Sequence, residues 1–197
     1  MMTGFILAGG RSSRMGRDKA LLPIGSQTLI ERVIGRIRPL VGQIIVIGHP
    51  GNVRSLEERL PDRVLTDLQP GHGPLMGIYT GLMQTETALN LFVPCDMPWV
   101  ESRVIDRLVE QCRGEIRVAA SVHPIDGIQP FPLVCRVEAC PLVGALLDQR
   151  EWSLRALVRQ PRARLVPVGE PGLWHAFTSV NTVADYAKLN DEAALPS

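Results

Sequence analysis

What the chain lacks narrows the field first. Its 21 basic residues face 20 acidic ones, a net charge of +1, so there is no field to hold DNA, RNA or an anionic membrane non-specifically. Any polyanion it binds must be small and locally gripped. Cys95, Cys112, Cys135 and Cys140 never form a Cys-x-x-Cys pair and have no spaced histidines to complete a zinc set. They read as reduced cytosolic thiols. No stretch approaches the roughly 20 apolar residues that span a bilayer. Met1 to Gly10 passes from a short apolar run straight into glycines, without the basic start and cleavage site of a secretory signal. The expectation is a cytoplasmic protein with no nucleic-acid and no membrane partner. Repeats and low-complexity linkers are absent as well, so residues 1–197 read as a single domain, with 45% hydrophobic residues to fill its core.

What is present alternates. Thr3–Leu7 is a buried strand that feeds a glycine loop running to about Gly25. From Leu29, the residues Ile30, Val33, Ile34, Ile37, Leu40 and Val41 recur at helical spacing, with charges opposite. Gln43–Ile47 reads as a second strand, Val53–Leu60 as a short helix and Arg63–Leu65 as a third strand. Pro74 suits a helix start because its missing N–H is not needed in the first turn, and Leu75–Met83 continues that helix. Leu91–Val93 is a fourth strand ending at Pro94-Cys95-Asp96, followed by a helix over Val104–Cys112 and strands over Ile116–Val122 and Phe131–Cys135. The last third is less regular, with helices near Val137–Gln149 and Leu154–Arg159, a strand at Leu165–Val168 and a final helix over Val183–Leu189. Strands alternating with helices predict an α/β fold with a mostly parallel sheet between helices. Ligands of such sheets lie at the carboxyl ends of the strands, where two candidate segments fall, one after the first strand and one after the fourth.

The first segment is Leu7-Ala8-Gly9-Gly10-Arg11-Ser12-Ser13-Arg14-Met15-Gly16-Arg17-Asp18-Lys19. Glycines after a strand let successive N–H groups face one concavity, and Arg11, Arg14, Arg17 and Lys19 add mobile positive charge for a triphosphate. A solvated surface loop is the bland alternative. It is not a Walker loop, because Asp18 precedes Lys19 and Ala20 follows it, and adjacent Gly9 and Gly10 do not make G-x-G-x-x-G. In the second segment, Asp96 ends a buried strand and faces the same crevice. Magnesium prefers hard oxygen ligands and commonly takes one or two carboxylates together with substrate phosphates. Asp67, before Gly71-His72-Gly73-Pro74-Leu75-Met76-Gly77, offers an acceptor for the N–H edge of a purine or for a ribose hydroxyl, or is a turn or capping aspartate. Gly73, Gly77 and Gly81 share one helix face, and Gly81 reads as close packing of helix on sheet. Cys95 reads as a small buried residue, with no charged neighbour arguing for a thiolate.

Leu7, Gly9, Gly10, Arg14, Met15, Gly16, Asp18 and Lys19 together resemble the L-x-G-G-x-x-x-R-M-G-x-D-K signature of nucleotidyltransferases, specifically of the molybdenum cofactor guanylyltransferase family. The resemblance continues in Asp67 followed by Gly-Pro-Leu-x-Gly, in Cys95-Asp96-Met97-Pro98, and more thinly in Gln129–Val134 and Ser179-Val180-Asn181-Thr182. It implies a nucleotide-diphospho-sugar-transferase-like α/β nucleotide-binding domain that joins GTP to the phosphate of molybdenum cofactor and releases pyrophosphate. By the same resemblance Leu7, Ala8, Gly9 and Gly10 contact the nucleotide through backbone. Lys19 and Arg14 bind phosphates and serve catalysis, Asp67 is a nucleotide ligand, and Asp96 holds Mg²⁺ beside the nucleotide. Asn181 is a candidate for the pterin substrate, with Thr182 equally an N-cap. Trp152 and Trp174 are candidates for stacking on a pterin or for apolar packing. GTP, molybdenum cofactor and cofactor-transfer proteins or apo-molybdoenzymes are the implied partners. The chain departs from the family at Ile47-Gly48-His49, where relatives carry an asparagine. A cytidylyl or sugar-phosphate transferase, and a non-catalytic nucleotide-binding module, stay open as alternatives. The presence of both Lys19 and Asp96 argues against the last.

Overall fold

The computed structural model describes residues 1–9 and 18–194. Its strands are β1 (Thr3–Leu7), β2 (Pro23–Ile24), β3 (Gln27–Thr28), β4 (Gln43–Gly48), β5 (Arg63–Thr66), β6 (Leu89–Pro94), β7 (Val118–His123), β8 (Gly127–Arg136) and β9 (Ala163–Pro167). The α-helices are α1 (Leu29–Ile37), α2 (Val53–Arg59), α3 (Gly73–Gln84), α4 (Ser102–Gln111), α5 (Cys140–Asp148), α6 (Leu154–Val158) and α7 (Val183–Ala194). Seven strands form one sheet in the order β5-β4-β1-β6-β8-β7-β9, with β8 antiparallel to both of its neighbours and the other pairings parallel. The expected α/β fold with a mostly parallel mixed sheet is therefore what forms.

The run of β-branched and aromatic residues in the central strands is two-sided because helices cover both faces. Along β1, Ile6 points into a core with Val33, Ile37, Val46, Val93 and Ile105, whereas Phe5 and Leu7 point into the other with Leu75, Ile78 and Phe92. α1 opens where Glu31 turns back to accept from the Thr28 N–H and hydroxyl, both at 2.6 Å. Helical spacing of apolar residues extends to Val41, but the α-helix stops at Ile37 and residues 38–40 form a tighter 3₁₀ turn. Pro39 is the reason, since it lacks the N–H of the next helical bond and its ring crowds the preceding turn.

Three other elements differ from expectation. The loop after β1 contains the β2–β3 hairpin, turned by Gly25 at φ +57°, and this hairpin shares a small core of Ile24, Leu29, Val180 and Leu189 with α7. Residues 171–177 form a 3₁₀ helix. β8 begins at Gly127 rather than Phe131 and runs through Pro130 and Pro132. Prolines normally argue against an inner strand because they cannot donate to the ladder. Here they fall where β8 is unpaired with β7, between Gln129 opposite Ser121 and Val134 opposite Ala119.

α3 lies on β1 and β6 closely enough that its glycines are needed. A Cβ at Gly81 would sit 2.6 Å from Phe92 Cε1 and 3.1 Å from Phe5 Cδ1, and those two rings are already stacked with centroids 4.8 Å apart. Gly35, in the middle of α1, is exposed and has nothing within 4 Å of a Cβ. Opposite outcomes follow for one substitution. Gly35→Ala should stabilise by up to about 1 kcal/mol through helix propensity. Gly81→Ala should destabilise by about 1–2 kcal/mol, because overpacking outweighs the same propensity gain. Urea unfolding of both variants checks the pair, and a stabilised Gly81→Ala would mean that the helix–sheet contact is looser than described.

Candidate active site

Parallel pairing brings the carboxyl ends of β5, β4, β1 and β6 onto one rim. Chain order reverses between β1 and β6, because β4 and β5 are added on one side of β1 and β6 on the other. Leu7 stands opposite both Ile47 and Pro94. The residues just beyond these positions therefore share one crevice.

On the β6 side, Asp96 meets Lys19. The Lys19 ammonium donates to Asp96 Oδ2 at 2.7 Å and to Asn181 Oδ1 at 2.9 Å, and both members of the ion pair are largely shielded. Lys19 is placed by a one-turn 3₁₀ helix over residues 19–21, which Asp18 caps by accepting from the Ala20 N–H at 3.0 Å. Asp96 is anchored through its own carbonyl, which accepts from the Val180 N–H at 2.9 Å. Asp185 accepts from the N–H groups of Asn181 and Thr182, while Thr182 Oγ1 accepts from the Asp185 N–H at 3.1 Å. Thr182 is thus the N-cap of α7, and Asn181 is the residue of this pair that reaches the site. Burial pushes the Cys95 thiol up, with the neighbouring Asp96 charge adding to it, so Cys95 is a packed thiol and not a nucleophile.

On the β5 side, Asp67 is buried and accepts from the Thr80 hydroxyl at 2.9 Å. Burial raises its pKa, opposed by hydrogen bonds from Thr80 and from the backbone of Gln69 and Leu68. A Cβ on Gly9 would lie 3.9 Å from Asp67 Oδ2, so the start of the glycine loop passes directly over this carboxylate. The other site candidates at this point, Gly10 and Arg14, lie outside the described residues. Leu7 and Ala8 have much of their backbone engaged within the protein. The Leu7 carbonyl accepts from the Cys95 N–H at 3.0 Å, and the Ala8 N–H donates to the Ile47 carbonyl at 2.8 Å. Gly9 has no such bond among the described residues.

Two residues were not singled out from sequence. Asn52 is buried; its amide donates to the Ala8 carbonyl at 2.9 Å and accepts from the His49 N–H at 2.8 Å. An asparagine therefore does stand behind β4, five residues past Ile47, and Gly48 makes room for it: a Cβ there would lie 2.6 Å from Asn52 Oδ1. The signal was the turn segment His49-Pro50-Gly51-Asn52. Thr80 was the other, hidden as one polar residue on an otherwise apolar helix face that also bonds back to the Met76 carbonyl. Of the isolated histidines, His49 accepts from the Gly51 N–H and His72 lies against Trp152. Trp174 donates to the Val168 carbonyl and packs its ring against His123, which is the packing use. No group of three His, Cys, Asp or Glu side chains among the described residues gathers to hold a metal alone.

Comparison with known proteins shows the family. Residues 4–165 match the family model of the MobA-like NTP transferase domain. A probable molybdenum cofactor guanylyltransferase of Pelotomaculum thermopropionicum is 42% identical over 94% of this chain and 90% of its own length. Among solved structures, molybdopterin-guanine dinucleotide biosynthesis protein A of Archaeoglobus fulgidus superposes with a TM-score of 0.77 at 20% identity, covering 98% of this chain and 99% of its own. A Mycobacterium tuberculosis protein solved in complex with manganese gives 0.69 at 19% identity, covering 96% of this chain and 98% of that one. The likeness in sequence extends over the strands whose ends build the crevice and over the segments that carry Lys19, Asp67 and Asp96. The chain therefore belongs to the molybdenum cofactor guanylyltransferase family, nucleotidyltransferases built on the MobA-like NTP transferase domain.

Proposed function

We propose that this protein transfers GMP from GTP to the terminal phosphate of molybdenum cofactor and releases pyrophosphate. The observation that carries the reading is the Lys19–Asp96 pair at 2.7 Å, in which Asp96 lies just past the end of β6 and Lys19 on the 3₁₀ turn that follows the glycine loop. In such a reaction the attacking phosphate oxygen is already charged, so no strong general base is required. What is required is alignment of two anions and neutralisation of charge at the α-phosphate. Lys19 supplies a mobile ammonium for the phosphates, and Gly9 with the loop that follows supplies N–H groups. In this reading Asp67, buried beneath Gly9 and held by Thr80, accepts from the guanine edge or the ribose. Asn181, already bonded to Lys19, faces the acceptor side.

Asp96 is the residue that would hold a divalent ion, and we assign Mg²⁺. The donor set fits: Asp96 is a hard oxygen ligand that faces the crevice and already has a cation within 2.7 Å. No group of three His, Cys, Asp or Glu side chains gathers among the described residues, which suits an ion completed by substrate phosphates and water. When bound, such an ion lowers the cost of charge moving onto the departing pyrophosphate. Apo-molybdoenzymes or cofactor-transfer proteins then receive the product, and the work takes place in the cytoplasm. No helix among the described residues is long and apolar enough to cross a membrane.

Three outcomes are expected. Asp67→Ala should weaken GTP binding more than binding of inorganic triphosphate, because the lost contact is to base or ribose; calorimetry with both ligands checks it, and equal losses remove the role. Lys19→Ala should cost roughly 10- to 100-fold in GTP affinity or turnover, yet should tighten binding of Mg²⁺ alone, because the ammonium no longer competes for Asp96. Loosened Mg²⁺ binding would mean that the two cations do not share the carboxylate. Asp96→Asn should keep the fold and most GTP affinity while turnover falls by about 10²-fold or more. Pyrophosphate release titrated with Mg²⁺ beside a thermal melt tests this, and wild-type metal dependence in the folded variant would sink the metal assignment.

A further inference from the structure

Beside the crevice stands a ring pair that the reading above leaves without a task. His72, at the entrance to α3, and Trp152, between α5 and α6, have ring centroids 4.5 Å apart and planes tilted by 44°. Gly71 and Gly73 flank His72 with φ of +94° and +75°. Residues with side chains seldom adopt those angles, so the backbone on both sides of His72 is bent in a way glycine alone tolerates easily. The surface next to the rings is open: Gly73 and Pro74 are exposed, and a Cβ on Gly73 would meet only the Trp152 carbonyl, at 3.9 Å.

Trp152 is not in the core. It keeps 36% exposure, and its indole N–H has no acceptor among the described residues. Trp174, by contrast, spends its N–H on a carbonyl and its ring on His123. His72 Nδ1 lies 3.2 Å from the Gln69 carbonyl oxygen, which can only accept, so Nδ1 carries a proton, and Nε2 has no hydrogen-bond partner among the described residues. His72 is also close enough to influence the charge on Asp67. An aromatic face and two ring nitrogens without partners among the described residues thus lie near the carboxylate assigned to the nucleotide.

We propose that His72 and Trp152 form a stacking platform for the fused 2-amino-4-oxopyrimidine ring system that guanine and a pterin share, with Trp152 supplying the face and the two free ring nitrogens reading polar edges. The proposal rests on the guanylyltransferase reading, which supplies both rings as substrates. Base-on-aromatic stacking is worth a roughly 5- to 100-fold change in affinity on truncation to alanine. It tolerates replacement of one aromatic by another.

The test uses Trp152→Ala, Trp152→Phe and His72→Ala. For each, equilibrium binding of GTP and of inorganic triphosphate is measured, together with KM for molybdenum cofactor in pyrophosphate release and the quenching of tryptophan emission by each ligand. Trp152→Ala should weaken one ring-bearing ligand by about 10-fold and leave inorganic triphosphate unchanged, and Trp152→Phe should recover most of that loss. Weakened GTP identifies the ring as guanine, whereas a raised KM for the cofactor with unchanged GTP identifies it as the pterin. Ligand quenching of wild-type emission should be largely absent in Trp152→Phe, which keeps the test usable if Trp152→Ala fails to fold. Unchanged affinities for both ligands, with quenching retained in Trp152→Phe, would overturn the platform. A wild-type protein that transfers no guanylyl group but whose GTP quenching needs Trp152 would sink the catalytic reading and leave the platform standing.

Discussion

The site depends on β1 being hydrogen-bonded in parallel on both sides. With β4 on one flank and β6 on the other, Leu7 lies level with Ile47 and Pro94, so each chain segment leaves the sheet at the same height. Four residues of the crevice are attached to those exits, Gly9 after β1, Asn52 after β4, Asp67 after β5 and Asp96 after β6, and Lys19 and Asn181 are brought in against Asp96 from outside the sheet. A slip of one residue in either pairing would turn every side chain of the strand to the opposite core, exchanging Ile6 for Phe5 and Leu7. Packing on the two faces therefore sets the register, and the register sets the site. Gly81 matters for the same reason, because α3 must lie against Phe5 and Phe92 for Thr80 to reach Asp67.

Charge is handled locally rather than by the molecule as a whole. A net charge of +1 gives the protein little long-range field, and the crevice pairs its cation and anion at contact distance. The Lys19–Asp96 pair ties segments 77 residues apart, and the Asn181 contact reaches 162 residues back to Lys19. In the proposed function, a ligand that brings both phosphate and a divalent ion satisfies each partner separately. The resting ion pair is then exchanged without leaving a buried charge uncompensated. Asp67 works differently. It is buried without an ion-pair partner at contact distance among the described residues, held by a hydroxyl and two backbone N–H groups, an arrangement suited to accepting hydrogen bonds more than to holding a metal.

The sequence by itself determined most of the strands and helices and where they end on glycine or aspartate, and it singled out Lys19, Asp67 and Asp96 as candidates for a nucleotide site. Those features are local: a period of 2 or 3.6, a proline at a helix start, a carboxylate after an apolar run. Even Gly81 was legible as packing, because three glycines at four-residue spacing share one helix face. The long extent of β8 was not, since Pro130 and Pro132 read as breaks until the gap in the β7 ladder that accommodates them is known.

Only the tertiary structure decided which distant residues meet. Asn181 was a candidate for the pterin with Thr182 beside it read as an N-cap, and the fold is what carries Asn181 to Lys19 while Thr182 caps α7. Asn52 looked like an ordinary turn residue, yet it spans the exits of β1 and β4 through space that Gly48 leaves open. Trp152 and Trp174 have similar standing in the sequence, but one is packed with its N–H satisfied and the other lies exposed against His72. The physical reason is common to all three cases. A side chain's hydrogen-bond partner depends on strand order and helix placement, which arise from burying both faces of the sheet at once and leave no trace in the spacing of neighbouring residues.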